Sequence, residues 1–107
     1  MPENKGALTE AVFYILLSLH TPMHGYGIMQ NVSALSNGRV TLGAGTLYGA
    51  LNTLVRKGWI APLNNQINSR KKEYAITPLG KSIAATELSR LGELVANGTP
   101  IIGGESI

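Results

Sequence analysis

The sequence contains no cysteine. That removes disulfides, thiol nucleophiles and thiolate zinc sites, and a cytoplasmic location is the expectation. Aromatic residues make up only 6% of the chain, too few to furnish a carbohydrate-stacking surface. The longest apolar run, Ala11–Leu17, is broken in character by Tyr14 and falls well short of the roughly 20 residues a membrane span needs. Met1-Pro2-Glu3-Asn4-Lys5-Gly6 is not a basic leader followed by an apolar stretch, so no signal peptide is expected. Catalytic groups are equally scarce. There are two histidines, no paired carboxylates, and no serine in a GxSxG-like setting. His20 and His24 are four apart, a metal-binding spacing on one helix, but Pro22 breaks the helix between them and no third ligand is near. Gly25-Tyr26-Gly27 and Gly43-Ala44-Gly45 are too short for a phosphate-binding loop and read as turns and helix starts. No enzyme, no metal and no cofactor is expected.

What is present fits one domain of 107 residues. A chain of this length buries about two-thirds of its surface at most, so a large cavity or a doubly apolar helix needs a second subunit. Residues 8–20 place Leu8, Ala11, Val12, Ile15, Leu16 and Leu19 at helical spacing, with Phe13 and Leu17 making the helix apolar almost all round. Thr21-Pro22 stops it. A second, shorter helix opens at Gly25 and ends near Ser36-Asn37-Gly38. Arg39–Leu42, short and β-branched, suits a small strand. A third helix runs from Thr46 to Lys57 and stops at Gly58. Trp59–Leu63 and Lys72–Ile76 are extended around a polar tip and read as a hairpin, with Tyr74 and Ile76 on one face. Trp59 reads as core packing where the third helix meets the hairpin, with part of a small-molecule pocket as the alternative. Thr77-Pro78 is the clearest helix start in the chain. That helix is expected to run to about Asn97 and end at Gly98.

The expected fold is mainly α with a small β-hairpin: a winged helix-turn-helix over residues 1–77, a C-terminal dimerisation helix over 78–98, and a flexible tail over 99–107. Ala84, Leu88, Leu91 and Val95 on the last helix form a helix-packing seam. Together with Leu8, Val12, Ile15 and Leu19 of the first helix they are the candidate homodimer interface.

Charge is divided along the chain. Residues 39–81 hold Arg39, Arg56, Lys57, Arg70, Lys71, Lys72 and Lys81 against Glu73 alone, a net of +6. The remainder holds Lys5 and Arg90 against Glu3, Glu10, Glu87, Glu93 and Glu105, a net of −3. The basic part is the third helix and the hairpin, the elements that touch DNA in a winged helix. On the third helix Leu47, Leu51 and Leu54 cluster on one side, while Gly45, Gly49, Asn52, Thr53 and Arg56 fall opposite. Glycines on an exposed helix face cost about 1 kcal/mol each relative to alanine, and close approach of another surface would rationalise them. Asn suits adenine edges, Arg suits guanine edges or phosphate, and Thr suits either phosphate or base. Thr46 belongs to the same candidate set, and Tyr48 borders the face with a hydroxyl for a phosphate. Arg70, Lys71 and Lys72 place cations on the wing. The partner expected from the residues is double-stranded DNA, with no membrane. A winged-helix module binding protein instead of DNA is the alternative, and the +6 segment weighs against it.

Leu8-Thr9-Glu10-Ala11, His24-Gly25-Tyr26-Gly27, Gly45-Thr46-Leu47-Tyr48-Gly49-Ala50-Leu51, Lys57-Gly58-Trp59-Ile60 and Arg70-Lys71-Lys72-Glu73-Tyr74-Ala75-Ile76-Thr77, taken together, resemble the PadR family of bacterial transcriptional regulators, in its short branch with a single C-terminal helix. The resemblance implies a winged helix-turn-helix, a homodimer built with the C-terminal helix, and repression from a palindromic operator. It also makes a small-molecule effector a candidate partner, since some members release DNA on binding phenolic acids or cationic drugs. Asn68-Ser69 stands where a glycine often precedes the basic run of the wing. Residues 80–107 contain no aromatic, so the last-helix tryptophan with which multidrug-sensing members sandwich flat ligands has no counterpart. No residues are assigned to an effector pocket.

Overall fold

The computed structural model describes residues 6–63 and 72–103. Helix α1, Glu10–Ser18, begins where the Thr9 hydroxyl accepts the Val12 amide at 3.1 Å. Its Ile15 and Leu16, and Leu19 just beyond its end, are fully buried, while Val12, Phe13, Tyr14 and Leu17 are half-buried. Helix α2, Gly25–Leu35, crosses it. The two are tied by Ser18, whose hydroxyl donates to the Tyr14 carbonyl at 2.8 Å and accepts from the Asn31 side-chain amide at 2.9 Å. Asn37 (φ 55°) and Gly38 (φ 79°) turn the chain after α2, as an Asn-Gly pair can.

Residues 39–43 are a loop and not the expected strand. The reason lies in the partners. The Val40 amide donates to the Ser36 hydroxyl and the Arg39 amide to the Ser36 carbonyl, each at 3.0 Å. Both edges of the central strand are also taken. Strand β1, Met23–His24, pairs with β3, Glu73–Ile76, which pairs in turn with β2, Ile60–Leu63, in an antiparallel sheet of order β1-β3-β2. Register sets Met23 opposite Tyr74 and Ile60 opposite Ile76. Pro62 is accommodated because β2 is an edge strand.

Helix α3, Ala44–Lys57, starts two residues before the expected Thr46 and ends at Gly58, whose φ of 78° is the left-handed conformation glycine tolerates. The Trp59 amide returns to the Leu54 carbonyl at 3.0 Å and closes the turn. Leu47, Leu51 and Leu54 enter the common core with Ile28, Val32, Ile60 and Tyr74. Truncating one such leucine to alanine typically costs about 2–5 kcal/mol.

Helix α4, Pro78–Ile102, opens at a joint with the end of α3. The Thr77 hydroxyl lies 2.7 Å from the Gly58 carbonyl and 3.0 Å from that of Trp59, and it accepts the Gly80 amide at 3.0 Å. A Cβ on Gly80 would stand 2.7 Å from an Ile76 methylene and closer still to the Trp59 carbonyl oxygen, so only glycine lets the helix seat there. The helix does not stop at Gly98. It continues through Pro100 to Gly103, whose φ of 108° ends it, so residues 99–102 expected in a tail are helical. Gly98 keeps helical geometry, and the turn containing Pro100 is exposed, leaving the carbonyl that lacks a proline N–H open to water.

Candidate nucleic-acid interface

The outer face of α3 carries Gly45, Thr46, Gly49, Asn52 and Arg56, all exposed. A Cβ on Gly45 or Gly49 would meet nothing within 4 Å. The fold therefore makes no demand for glycine there, and the helix would be more stable with alanine. Asn52 and Arg56 project beside them, and among the described residues the Arg56 guanidinium makes one hydrogen bond, 3.4 Å to the Thr53 hydroxyl. Thr53 is half-buried and donates to the Gly49 carbonyl at 3.2 Å, so it stiffens this face more than it projects from it.

Tyr48 lies at the edge of the face, 45% exposed, with its ring across the start of α2 against Gly25. Its other neighbour is the buried Tyr74 of the wing strand. Burial pushes the Tyr74 phenol above its ordinary value, and the neighbouring Tyr48 adds to the shift. Lys72, at the threshold of β3, is exposed. Arg70 and Lys71 lie outside the described residues. Of the remaining cations in the basic segment, Lys57 sits with its Nζ 4.9 Å from the centre of the Trp59 ring. Arg39 is turned away from the common purpose: its Nε donates to Glu10 at 2.8 Å, which raises its pKa further and ties the loop before α3 to the acidic start of α1.

The expected subunit interface divides. Ile15 and Leu19 are fully buried and Ala84 is 4% exposed within the single chain, so these three belong to the core and present nothing to a partner. Leu8, Val12 and Leu91 are half-buried. Leu88 and Val95 are exposed at 62% and 53%, and Ile102 at 80%. Ala84, Leu88, Leu91, Val95 and Ile102 nonetheless form one stripe, within an arc of about 60° at 100° per residue. The chain covers the first part of that stripe and leaves the rest bare.

Sequence reasoning gave both histidines no role, and the structure supplies one for each. The His24 ring accepts the Gly27 amide at 3.3 Å as the cap of α2, and the His20 Nδ1 lies 2.9 Å from the Leu16 carbonyl. Among the described residues no three metal-ligating side chains cluster, and no helix is long and apolar enough to cross a membrane. Trp59 is half-buried. It packs on the core, as expected, and it also lines a cavity of about 720 Å³ with Leu8, Val12, Thr53, Ile83 and Glu87. The cavity was foreseeable only as the minor reading of Trp59, because its walls come from three stretches far apart in sequence, 6–12, 53–59 and 83–87. The role of Gly25 was also missed. In the sequence Gly25 reads as part of a turn and helix start, and its contact with Tyr48 joins residues 23 apart.

The family model for the transcriptional regulator PadR-like family matches residues 13–86. Over 73 residues the chain is 34% identical to an uncharacterised 37.1 kDa protein of a Streptomyces fradiae transposon, a match covering 68% of this chain and 20% of that one. The chain thus spans about a fifth of the length of that relative. Among solved structures, a transcriptional regulator from Clostridium thermocellum superposes with a TM-score of 0.67 at 25% identity, covering 81% of this chain and 88% of that one. A PadR family transcription regulator from Clostridium difficile superposes with a TM-score of 0.73 at 19% identity, covering 88% and 99%, and supports the fold.

Proposed function

This chain belongs to the transcriptional regulator PadR-like family, and on that premise we propose that it is a DNA-binding regulator without enzymatic activity, a homodimeric repressor of a palindromic operator. Each subunit would lay the outer face of α3 in a major groove and run the wing along the flanking backbone, with half-sites about one helical turn apart. The observation that carries this reading is the face of α3 itself. Two glycines stand in open space beside an exposed Asn52 and Arg56, a surface shaped for something to approach closely and offering groups that read bases. The bare part of the α4 stripe supports the homodimer, since a second copy offers the same apolar surface in return. Repression follows if the operator overlaps a promoter.

Release by a small molecule fits the cavity beside Trp59. Its walls include Thr53 and Lys57 of the reading helix and Ile83 and Thr86 of the pairing helix. A ligand there would change the angle between the two helices and hence the spacing of the paired reading helices, and both half-sites must engage together.

Selection of binding sites from random duplex DNA at two salt concentrations tests the proposal. The expected product is an inverted repeat. An unenriched pool, or binding that does not weaken with salt, overturns it and favours a protein-binding module.

A further inference from the structure

We infer that Gly25 is a positioning residue for DNA recognition, kept free of a side chain so that Tyr48 can lie across the start of α2 and stay fixed at the edge of the reading face. The inference rests on the DNA-binding reading above and adds a residue to it that touches no DNA.

Three observations support it. The first is space. A Cβ built on Gly25 would stand 2.6 Å from the Tyr48 Cζ and 3.2 Å from its Cε1, with the hydroxyl oxygen closer still. No real Cβ occupies such a position, so the ring would have to shift from its place. The second is backbone. Gly25 is the first residue of α2 and is absent from the glycines with positive φ, which are Gly38, Gly58 and Gly103. Any residue could adopt its conformation, and alanine would favour the helix. The third is the company Tyr48 keeps. Its ring lies against the α2 start, and its phenol is near enough to the buried Tyr74 of the wing strand to raise that group's pKa. Tyr48 is thereby an exposed side chain of α3 that rests on the preceding helix. A tyrosine that rests on the neighbouring helix at 45% exposure gives up less rotamer entropy on binding than an unbraced one.

A four-variant cycle on the full chain tests this: wild type, Gly25→Ala, Tyr48→Ala and the double variant. Affinity for the selected operator is measured by fluorescence anisotropy, with thermal melting alongside. Gly25→Ala is expected to weaken binding about tenfold, close to the loss from Tyr48→Ala. In the Tyr48→Ala background the same change is expected to cost no further affinity and to raise the melting temperature slightly. A merely structural glycine would cost affinity and stability in both backgrounds, and that result overturns the inference, as does a Gly25→Ala chain that binds like wild type. The Tyr48 ring resonances supply a readout independent of DNA: Gly25→Ala should shift them toward free tyrosine, and unmoved resonances overturn the inference. Wild-type chain that binds no duplex overturns the regulator reading, and this inference with it, which separates that failure from failure of the Gly25 role alone.

Discussion

The outer face of α3 and the far half of α4 are both exposed, and they are exposed in opposite chemical senses. On α3 the open positions are Gly45, Thr46, Gly49, Asn52 and Arg56; on α4 they include Leu88, Leu94, Val95, Ile101 and Ile102. Solvent alone explains neither. A helix face meant for water has no use for two glycines, each costing about 1 kcal/mol, and none for a run of large aliphatic side chains. The first suits a polar, anionic surface that comes near the backbone. The second suits a dry surface like itself. The cations follow the same division: among the described residues Arg56 reaches a hydroxyl alone, whereas Arg90 of α4 is committed to Glu87 by two bonds of 2.9 and 2.7 Å.

Charging the apolar face should break the comparison most severely. Leu88→Glu with Val95→Glu leaves the core residues Ile15, Leu19 and Ala84 untouched, so the subunit should fold. Sedimentation should then show a monomer, and operator affinity should fall by about 10²–10⁴-fold, the value of engaging two half-sites together. A doubly charged variant that sediments and binds as wild type removes the assignment of this stripe to a partner.

The polar face can be divided more finely. Arg56→Ala or Asn52→Ala should cost about 1–3 kcal/mol on the selected operator and relax preference at particular base positions. Lys72→Ala should instead weaken every duplex alike and reduce the salt dependence by about one counterion. Both outcomes are read from titrations against operator and scrambled DNA. If Arg56→Ala weakens all sequences equally, α3 holds the backbone and does not read bases.

Gly49 offers a smaller effect with opposite signs in two measurements. Because a Cβ there meets open space, Gly49→Ala should stabilise the fold by about 0.5–1 kcal/mol in thermal melts. The same methyl should weaken operator binding about tenfold by holding DNA away from the backbone. A variant that gains stability and keeps its affinity would show that this glycine serves nothing outside the chain.

Local chemistry is what makes much of this readable in the sequence. Thr77-Pro78 and Gly58 mark helix ends because capping and left-handed φ depend on one or two residues, and Leu47, Leu51 and Leu54 declare a buried side by spacing alone. The errors fell where distant segments decide. Arg39–Leu42 has strand-like residues, but β1 and β2 take both edges of the central strand and the Arg39 and Val40 amides bond to Ser36 instead. Ile15, Leu19 and Ala84 share the periodicity of an interface, yet periodicity does not say which chain supplies the cover. Gly98 and Pro100 look like a stop, but a helix whose last turn packs on nothing can run through them to Gly103. On the site, the reading face was legible because it lies on one helix. The tie between Gly25 and Tyr48, and the cavity at Trp59, were not, since each joins segments far apart in sequence.

The smallest expected effect concerns the one carboxylate buried on α4. Glu87 is 4% exposed, and its hydrogen bonds with Arg90 hold its pKa below the ordinary value, with burial opposing and the Leu8 backbone assisting. A carboxyl depressed in the folded state binds fewer protons there than when unfolded. Its contribution to stability is therefore complete above the unfolded value of about 4.3 and is lost as pH falls through the lower folded one. Arg90→Met removes the largest cause of the depression. Burial, the next in size, then governs and raises the carboxyl, so the sign reverses: the Glu87 contribution becomes most favourable in acid and declines as pH rises through the new folded value. Thermal melts of both proteins between about pH 3 and 6 should give difference curves of opposite slope in that window. Parallel curves would mean that Arg90 does not hold Glu87 in solution, and that α4, like α3, keeps a cation free for an outside partner.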